Sequence, residues 1–170
     1  MNNIARRTWL AAALAAAFAG GCASVQHQGA AASNDIMGTW KLVANTQLKP
    51  DGSRVDIYGD NPSGMAIFAP DGHFMVLNAR ASLPKFASNN RLEGTAAENQ
   101  AVVRGSIGLF GSYSVDPATK VVTLNIETST WPAWAGTSQK RMYKLEGDTL
   151  RWTLAASVGG TAEVVWKRMR

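Results

Sequence analysis

Arg141 and Glu127 are the charged residues of this 170-residue sequence whose setting invites chemistry. Arg141 shares a two-residue parity with Tyr143 and Leu145, against Lys140, Met142 and Lys144, and in a strand each parity owns one face. If the first set faces inward, a guanidinium enters a low-dielectric interior and needs an anionic partner. Glu127, on the preceding strand, is one candidate, and a ligand carboxylate is another. The third reading is a plain cross-strand surface pair of Glu127 with Arg141. No residue is assigned a catalytic role. Glu127, Tyr113, Tyr143 and His73 are the candidates for acid-base chemistry, Glu127 and Tyr113 foremost, since isomerisation or cyclisation needs one tuned proton donor in a shaped, dry cavity.

Other chemistry is excluded by inventory. His73 is the only histidine outside the N-terminal region, it starts a strand beside a turn, and it reads as solvent-exposed. No Gly-x-Ser-x-Gly elbow occurs, so a Ser, His, Asp triad has no basis. One histidine with no nearby cysteine cannot make a first-row metal site, and Asp51, Asp60 and Asp71 read as turn residues, so no metal and no cofactor is expected. Seventeen Lys and Arg against twelve Asp and Glu give a net charge of +5, or +3 without Arg6 and Arg7 of the leader. These charges are scattered over nearly every strand and turn and form no basic stripe with interleaved aromatics, which speaks against nucleic acid.

The elements that must position these side chains are strands. Gly38, Thr39 and Trp40 open a strand at residues 41–48, and a Gly-x-Trp there suits the floor of a small barrel, with the indole closing one end. Further strands are expected at residues 54–58, 65–69, 73–80, 109–115, 121–128, 139–146, 149–155 and 162–168, separated by turns such as Pro70-Asp71-Gly72. The expected fold is all-β, an antiparallel up-and-down barrel of about eight or nine strands with one short helix. That helix, residues 96–104, follows a Thr95/Glu98 capping box. The long segment 81–106 holding it is a lid, a plug or a crossover.

An inward parity of Trp40, Met65, Ile67, Met75, Leu77, Tyr113, Leu124, Leu150 and Trp152 would give a cavity an apolar, adaptable lining, or else simply fill it. Trp131 and Trp134, flanking Pro132, would rim the mouth, pack onto the barrel end or touch a membrane. Trp40, Met65, Met75, Leu77, Tyr113, Trp131, Trp134, Arg141, Tyr143 and Trp152 are therefore the expected ligand-binding set.

Residues 1–22 read as an export signal, with Arg6 and Arg7 before an apolar run at residues 9–19 too short to span a bilayer. Ala19-Gly20-Gly21-Cys22 resembles a lipoprotein signal, which would make Cys22 a lipidated N-terminus and residues 23–36 a flexible tether to a domain at 37–170. The alternative is an ordinary signal cut near residues 30–32. Arg6-Arg7-Thr8-Trp9-Leu10 loosely resembles a twin-arginine signal, so either export route is open. Ala23 and Ser24 fit lipoproteins sent to the outer membrane, which gives the expected place as its periplasmic face, or else the soluble periplasm. Cys22 is the only cysteine, so the domain has no disulfide and no thiol nucleophile.

Gly38-Thr39-Trp40, the run Tyr58-Gly59-Asp60-Asn61-Pro62 with Gly64, Pro70-Asp71-Gly72, Trp131, Pro132, Trp134, Gly136, Arg141 and Val165-Trp166-Lys167-Arg168 together resemble the lipocalin-like domain family over about residues 37–168. The resemblance implies a barrel with a central cavity. Members often carry a histidine on the strand at 121–128, where this chain has Leu124 and Asn125. Three functions follow: a container for a small hydrophobic or amphipathic ligand, a cofactor-free isomerase or cyclase in the same cavity, or a packed barrel acting as an envelope interaction protein.

Overall fold

The computed structural model describes residues 35–156 and 159–170. The expected export signal, Cys22 and the expected tether as far as residue 34 lie outside the described residues. Ile36, assigned to that tether, is fully buried in the core, so the fold already includes it.

Nine antiparallel strands follow in chain order: β1 (Gly38–Leu48), β2 (Arg54–Asp56), β3 (Ser63–Phe68), β4 (His73–Ala79), β5 (Ser106–Asp116), β6 (Val121–Ser129), β7 (Thr137–Glu146), β8 (Thr149–Ala155) and β9 (Thr161–Arg168). Helix α1 (Ala96–Gly105) lies between β4 and β5, and a one-turn 3₁₀ helix (Pro132–Trp134) between β6 and β7. From β3 to β9 each strand pairs with its neighbour in sequence, and β1 pairs with both β3 and β9. That closes an eight-stranded barrel. The ninth strand, β2, is an appendage: β3 pairs with residues 38–41 of β1, and β2 takes the same edge at Thr46, Gln47 and Leu48.

Turn chemistry sets the registers. In the β3–β4 hairpin Gly72 has φ 85°, a conformation costly for other residues, and the Asp71 carboxylate accepts from the His73 amide at 3.1 Å. His73 is exposed there, 3.2 Å from Asp71.

Two β-bulges decide which side chains face in. In β1 the register against β9 slips between Leu42 and Ala44, leaving Val43 as the extra residue. Trp40 and Leu42 point inward before it, and Asn45 and buried Gln47 point inward after it. The unbroken alternation expected for residues 41–48 would have turned both polar side chains outward. In β6 the slip falls between Ile126 and Thr128, leaving Glu127 extra and exposed. Gly111 faces this bulge across the ladder, where a Cβ would collide with the Asn125 carbonyl.

The interior is divided along the barrel axis. At the end where β1 begins, Trp40, Phe68, Phe74, Tyr113, Leu124, Tyr143, Leu150 and Trp166 fill the lumen. The Trp40 indole donates to the Ile36 carbonyl at 2.8 Å. The Arg168 guanidinium lies 4.1 Å from the Trp40 ring and donates to the carbonyls of Met37 and Asp35 at 2.6 and 2.8 Å. Trp40 thus closes the floor, as its position at the start of β1 implied. Each large side chain buried here contributes roughly 1.5–3 kcal/mol of transfer free energy.

The hairpin β3–β4 corrects the expected lining. Met65 pairs with Leu77 and Ile67 with Met75, and all four lie outside, between 39% and 53% exposed. The buried parity is Ala66 and Phe68 against Val76 and Phe74. Both faces of this hairpin are apolar, so hydrophobicity alone could not choose between them.

Candidate functional site

The other end of the lumen is not filled. A cavity of about 110 Å³ lies among the later residues of β1, β4 and β8, the first residues of β5 and β9, and the β2–β3 and β6–β7 connections. That is several times the room one water needs, ~10–15 Å³, and less than the ~300–1,000 Å³ of a drug-sized pocket. Its apolar wall is formed by Val76, Leu109, Trp152 and Val164, with partly exposed Ile57, Ile107, Trp134 and Leu154 where it meets solvent. Its polar groups are Asn45, Gln47, Tyr58, Asn78 and Arg141.

Arg141 reaches the cavity because β7 alternates cleanly: Arg141 and Tyr143 are buried, while Lys140, Met142 and Lys144 are exposed. It is 4% exposed. One Nη2–H donates to Gln139 Oε1 at 3.0 Å, and the guanidinium lies 4.9 Å from the Trp152 ring. Burial pushes its pKa down to about 10, so it stays cationic at neutral pH. The expected Glu127 partner is not there. Arg141 pairs across the ladder with Val122, whereas Glu127 sits exposed on the bulge beyond the last β6–β7 pair, Ile126 with Thr137. Among the described residues, neither an Asp nor a Glu lines the cavity.

The remaining polar groups are also incompletely matched. Among the described residues, Arg141 Nε, Trp152 Nε1, Asn45 Oδ1, Asn78 Oδ1 and Trp166 Nε1 are buried without a hydrogen-bond partner, and all but Trp166 belong to the cavity wall. Native interiors leave few such groups, because each costs roughly 1–3 kcal/mol. Gln47 is satisfied, donating to the Gly159 carbonyl at 2.8 Å. The Tyr58 hydroxyl lies beside the Asn78 side chain, and burial raises its pKa to about 12, so it keeps its proton at neutral pH.

Of the expected ligand-binding set, Arg141, Trp134 and Trp152 come together at this cavity. Trp40, Tyr113 and Tyr143 belong to the filled end: the Tyr113 hydroxyl donates to the Ala69 carbonyl at 3.0 Å, and Tyr143 lies by Asp35 and Lys120. Met65, Met75 and Leu77 are on the outer surface. Trp131 is 48% exposed and outside the cavity wall, because it precedes the 3₁₀ turn in extended conformation whereas Trp134 ends that turn against the core. The proton-transfer candidates are absent from the wall as well: Glu127 and His73 are exposed, and Tyr113 and Tyr143 lie in the filled end. No residue of 81–105 lines the cavity, so this segment is a crossover at the same end, neither inserted as a plug nor closed as a lid.

Sequence reasoning missed Asn45, Gln47, Tyr58 and Asn78. The first two are turned inward by a bulge that leaves no mark in composition. Asn78 did leave a signal, being a polar residue that follows Phe74 and Val76 on the same parity. Among the described residues, no group of three or more His, Cys, Asp or Glu side chains is placed to hold a metal.

The profile of the lipocalin-like domain family matches residues 37–169. The chain belongs to the lipocalin-like domain family. Its barrel is of a kind that commonly binds small hydrophobic ligands. No curated protein matches the chain. Solved structures similar to this lipocalin-like barrel include a redesigned β-barrel, at 15% identity and TM-score 0.43, covering 82% of this chain and 96% of that one. A de novo designed fluorescence-activating β-barrel is similar at 13% identity and TM-score 0.42, covering 82% and 98%. An uncharacterized protein from Bacteroides eggerthii follows at 16% identity and TM-score 0.39, covering 77% and 98%. Likenesses of that grade bear on neither ligand nor activity.

Proposed function

We propose that this lipocalin-like barrel is a container that holds a small amphipathic molecule at the unfilled end of its lumen. The observation that supports this most is a cavity whose wall carries the buried Arg141 cation and four of the five unpartnered buried side-chain atoms among the described residues, the fifth being Trp166 Nε1 in the filled end. A mostly apolar pocket with a few placed polar groups is the usual form of a ligand site. Isomerase or cyclase chemistry has less support. Tyr58 and Arg141 are the titratable side chains of the wall, both hold their protons at neutral pH, and neither is a base. The sequence of residues 1–22 supports export, and Cys22 supports a lipid anchor that would place the container at the bacterial cell envelope, on the periplasmic face of the outer membrane.

Native mass spectrometry of the protein purified from its own cell envelope, with organic extraction, tests the container. A bound small molecule is expected in the wild type and not in Trp152→Ala. A protein that is empty from its native source, and that binds no amphiphile when titrated, would overturn the reading.

A further inference from the structure

We infer that the molecule held by this barrel is a small monocarboxylate carrying a hydroxyl or similar hydrogen-bond donor, with its carboxylate seated on Arg141. This rests on the container reading and adds the ligand's chemistry to it.

The argument is a matching of unfilled valences. Arg141 brings a full positive charge into a wall without a carboxylate, and its Nε–H has no acceptor. One Nη2–H is held by Gln139, and the other guanidinium N–H groups are the donors a carboxylate would take, in the paired-bond geometry that guanidinium and carboxylate share. Trp152 Nε1 offers a further donor on the same wall. Asn45 Oδ1 is an acceptor, so it calls for a donor on the ligand that a plain alkanoate lacks. Charge selects within the anions. One guanidinium balances one negative charge, and the second charge of a phosphate monoester would be stranded in a low-dielectric wall with no other cation. Volume selects too, since about 110 Å³ takes a short acid or the head of a longer one whose tail leaves past Ile57, Ile107 and Trp134.

The test is a titration of the full chain, solubilised in detergent and stripped of bound small molecules, read by calorimetry and by intrinsic tryptophan fluorescence. The probes are straight-chain series of alkanoates, 3-hydroxyalkanoates, alcohols and amines from four to ten carbons. The expected order is 3-hydroxyalkanoate tightest, then alkanoate, with the matching alcohol weaker than the alkanoate by about tenfold or more and the amine weakest. Arg141→Gln should remove that preference, so that acids bind no more tightly than the matching alcohols. Arg141→Lys, which keeps the charge but not the paired-bond geometry, should recover only part of it. Should either variant fail to fold, the wild-type ranking still decides. Alcohols binding as tightly as acids, or acids binding equally well to Arg141→Gln, would overturn the carboxylate while leaving a container. Alkanoates matching 3-hydroxyalkanoates would overturn the hydroxyl. Failure of every series to bind would take down the container reading, and this inference with it.

Discussion

Tyr58 and Arg141 share one pocket wall, and burial moves their pKa values in opposite directions, to about 12 and about 10. For Tyr58 the folded state keeps a proton that the unfolded state releases above its ordinary value of 10. The folded chain then binds more protons, so this residue makes stability fall as pH rises from 10 to about 12, by about 2–3 kcal/mol in all. Arg141 acts with the other sign over the same alkaline range, so the effect is read as the difference between wild type and Tyr58→Phe in urea melts. That difference should shrink steadily above pH 10, and one phenol titrating near pH 12 should vanish from the ultraviolet spectrum of the variant. A constant difference would mean that Tyr58 is hydrated. Trp152 carries a different load. It meets Phe68 and Trp166 edge-on at 5.9 and 5.4 Å and presents its ring to Arg141, so it belongs to plug and pocket at once. Trp152→Ala should cost roughly 3–5 kcal/mol in equilibrium unfolding.

Among the elements, α1 and the loop before it hang on one carboxylate. Glu98 accepts from the Thr95 amide and the Ala87 amide at 2.8 Å each and from the Thr95 hydroxyl at 2.9 Å, and these bonds hold its pKa below the usual 4.5. A depressed carboxyl contributes stability above its unfolded pKa and loses it as pH falls through the folded one. Amide-exchange protection at Ala87 and Thr95 should therefore drop once pH falls below 4.5, while that of the barrel strands holds. Thr95→Ala should weaken the same segment by about 1 kcal/mol at neutral pH. Protection that is flat with pH would sink the clamp. This capping box was legible in the sequence, as were all nine strands, because turn residues and local spacing act within a few positions. The bulges were not legible. Val43 is an ordinary β-branched residue, and what makes it extra is the pairing of β1 with β9, more than a hundred residues away. Deleting Val43 should remove the bulge and leave Leu42 opposite Trp166, Ala44 opposite Val165 and Asn45 opposite Val164, so that Asn45 and Gln47 stay inward. Asn45→Cys in a chain with Cys22→Ser should therefore stay protected from thiol reagents after the deletion, and a newly reactive thiol would refute the role given to the bulge.

For the whole molecule, the decisive feature is that floor and cavity are separate compartments of one closed sheet. Arg168 stands across from Trp40 near the start of β1, and Arg141 shares its wall with Asn45, five residues further along that strand and so roughly 15 Å away. Between them Phe68, Leu150, Trp152 and Trp166 are packed with at most 1% exposure. Such a partition predicts that the two arginines act independently and with opposite sign. Arg168→Ala removes two charged hydrogen bonds and the ring contact that close the floor, a loss of about 2–4 kcal/mol. Arg141→Met removes an uncompensated buried charge and should raise the stability of the ligand-free protein by about 1–2 kcal/mol. With a carboxylate bound that gain should reverse, because the ligand then stabilises only the arginine form. In the ligand-free double variant the two effects should add to within about 0.5 kcal/mol, as they do for sites without shared neighbours. A coupling well above that value would mean that the aromatic layer transmits strain from floor to pocket, and the barrel would then have to be treated as one compartment.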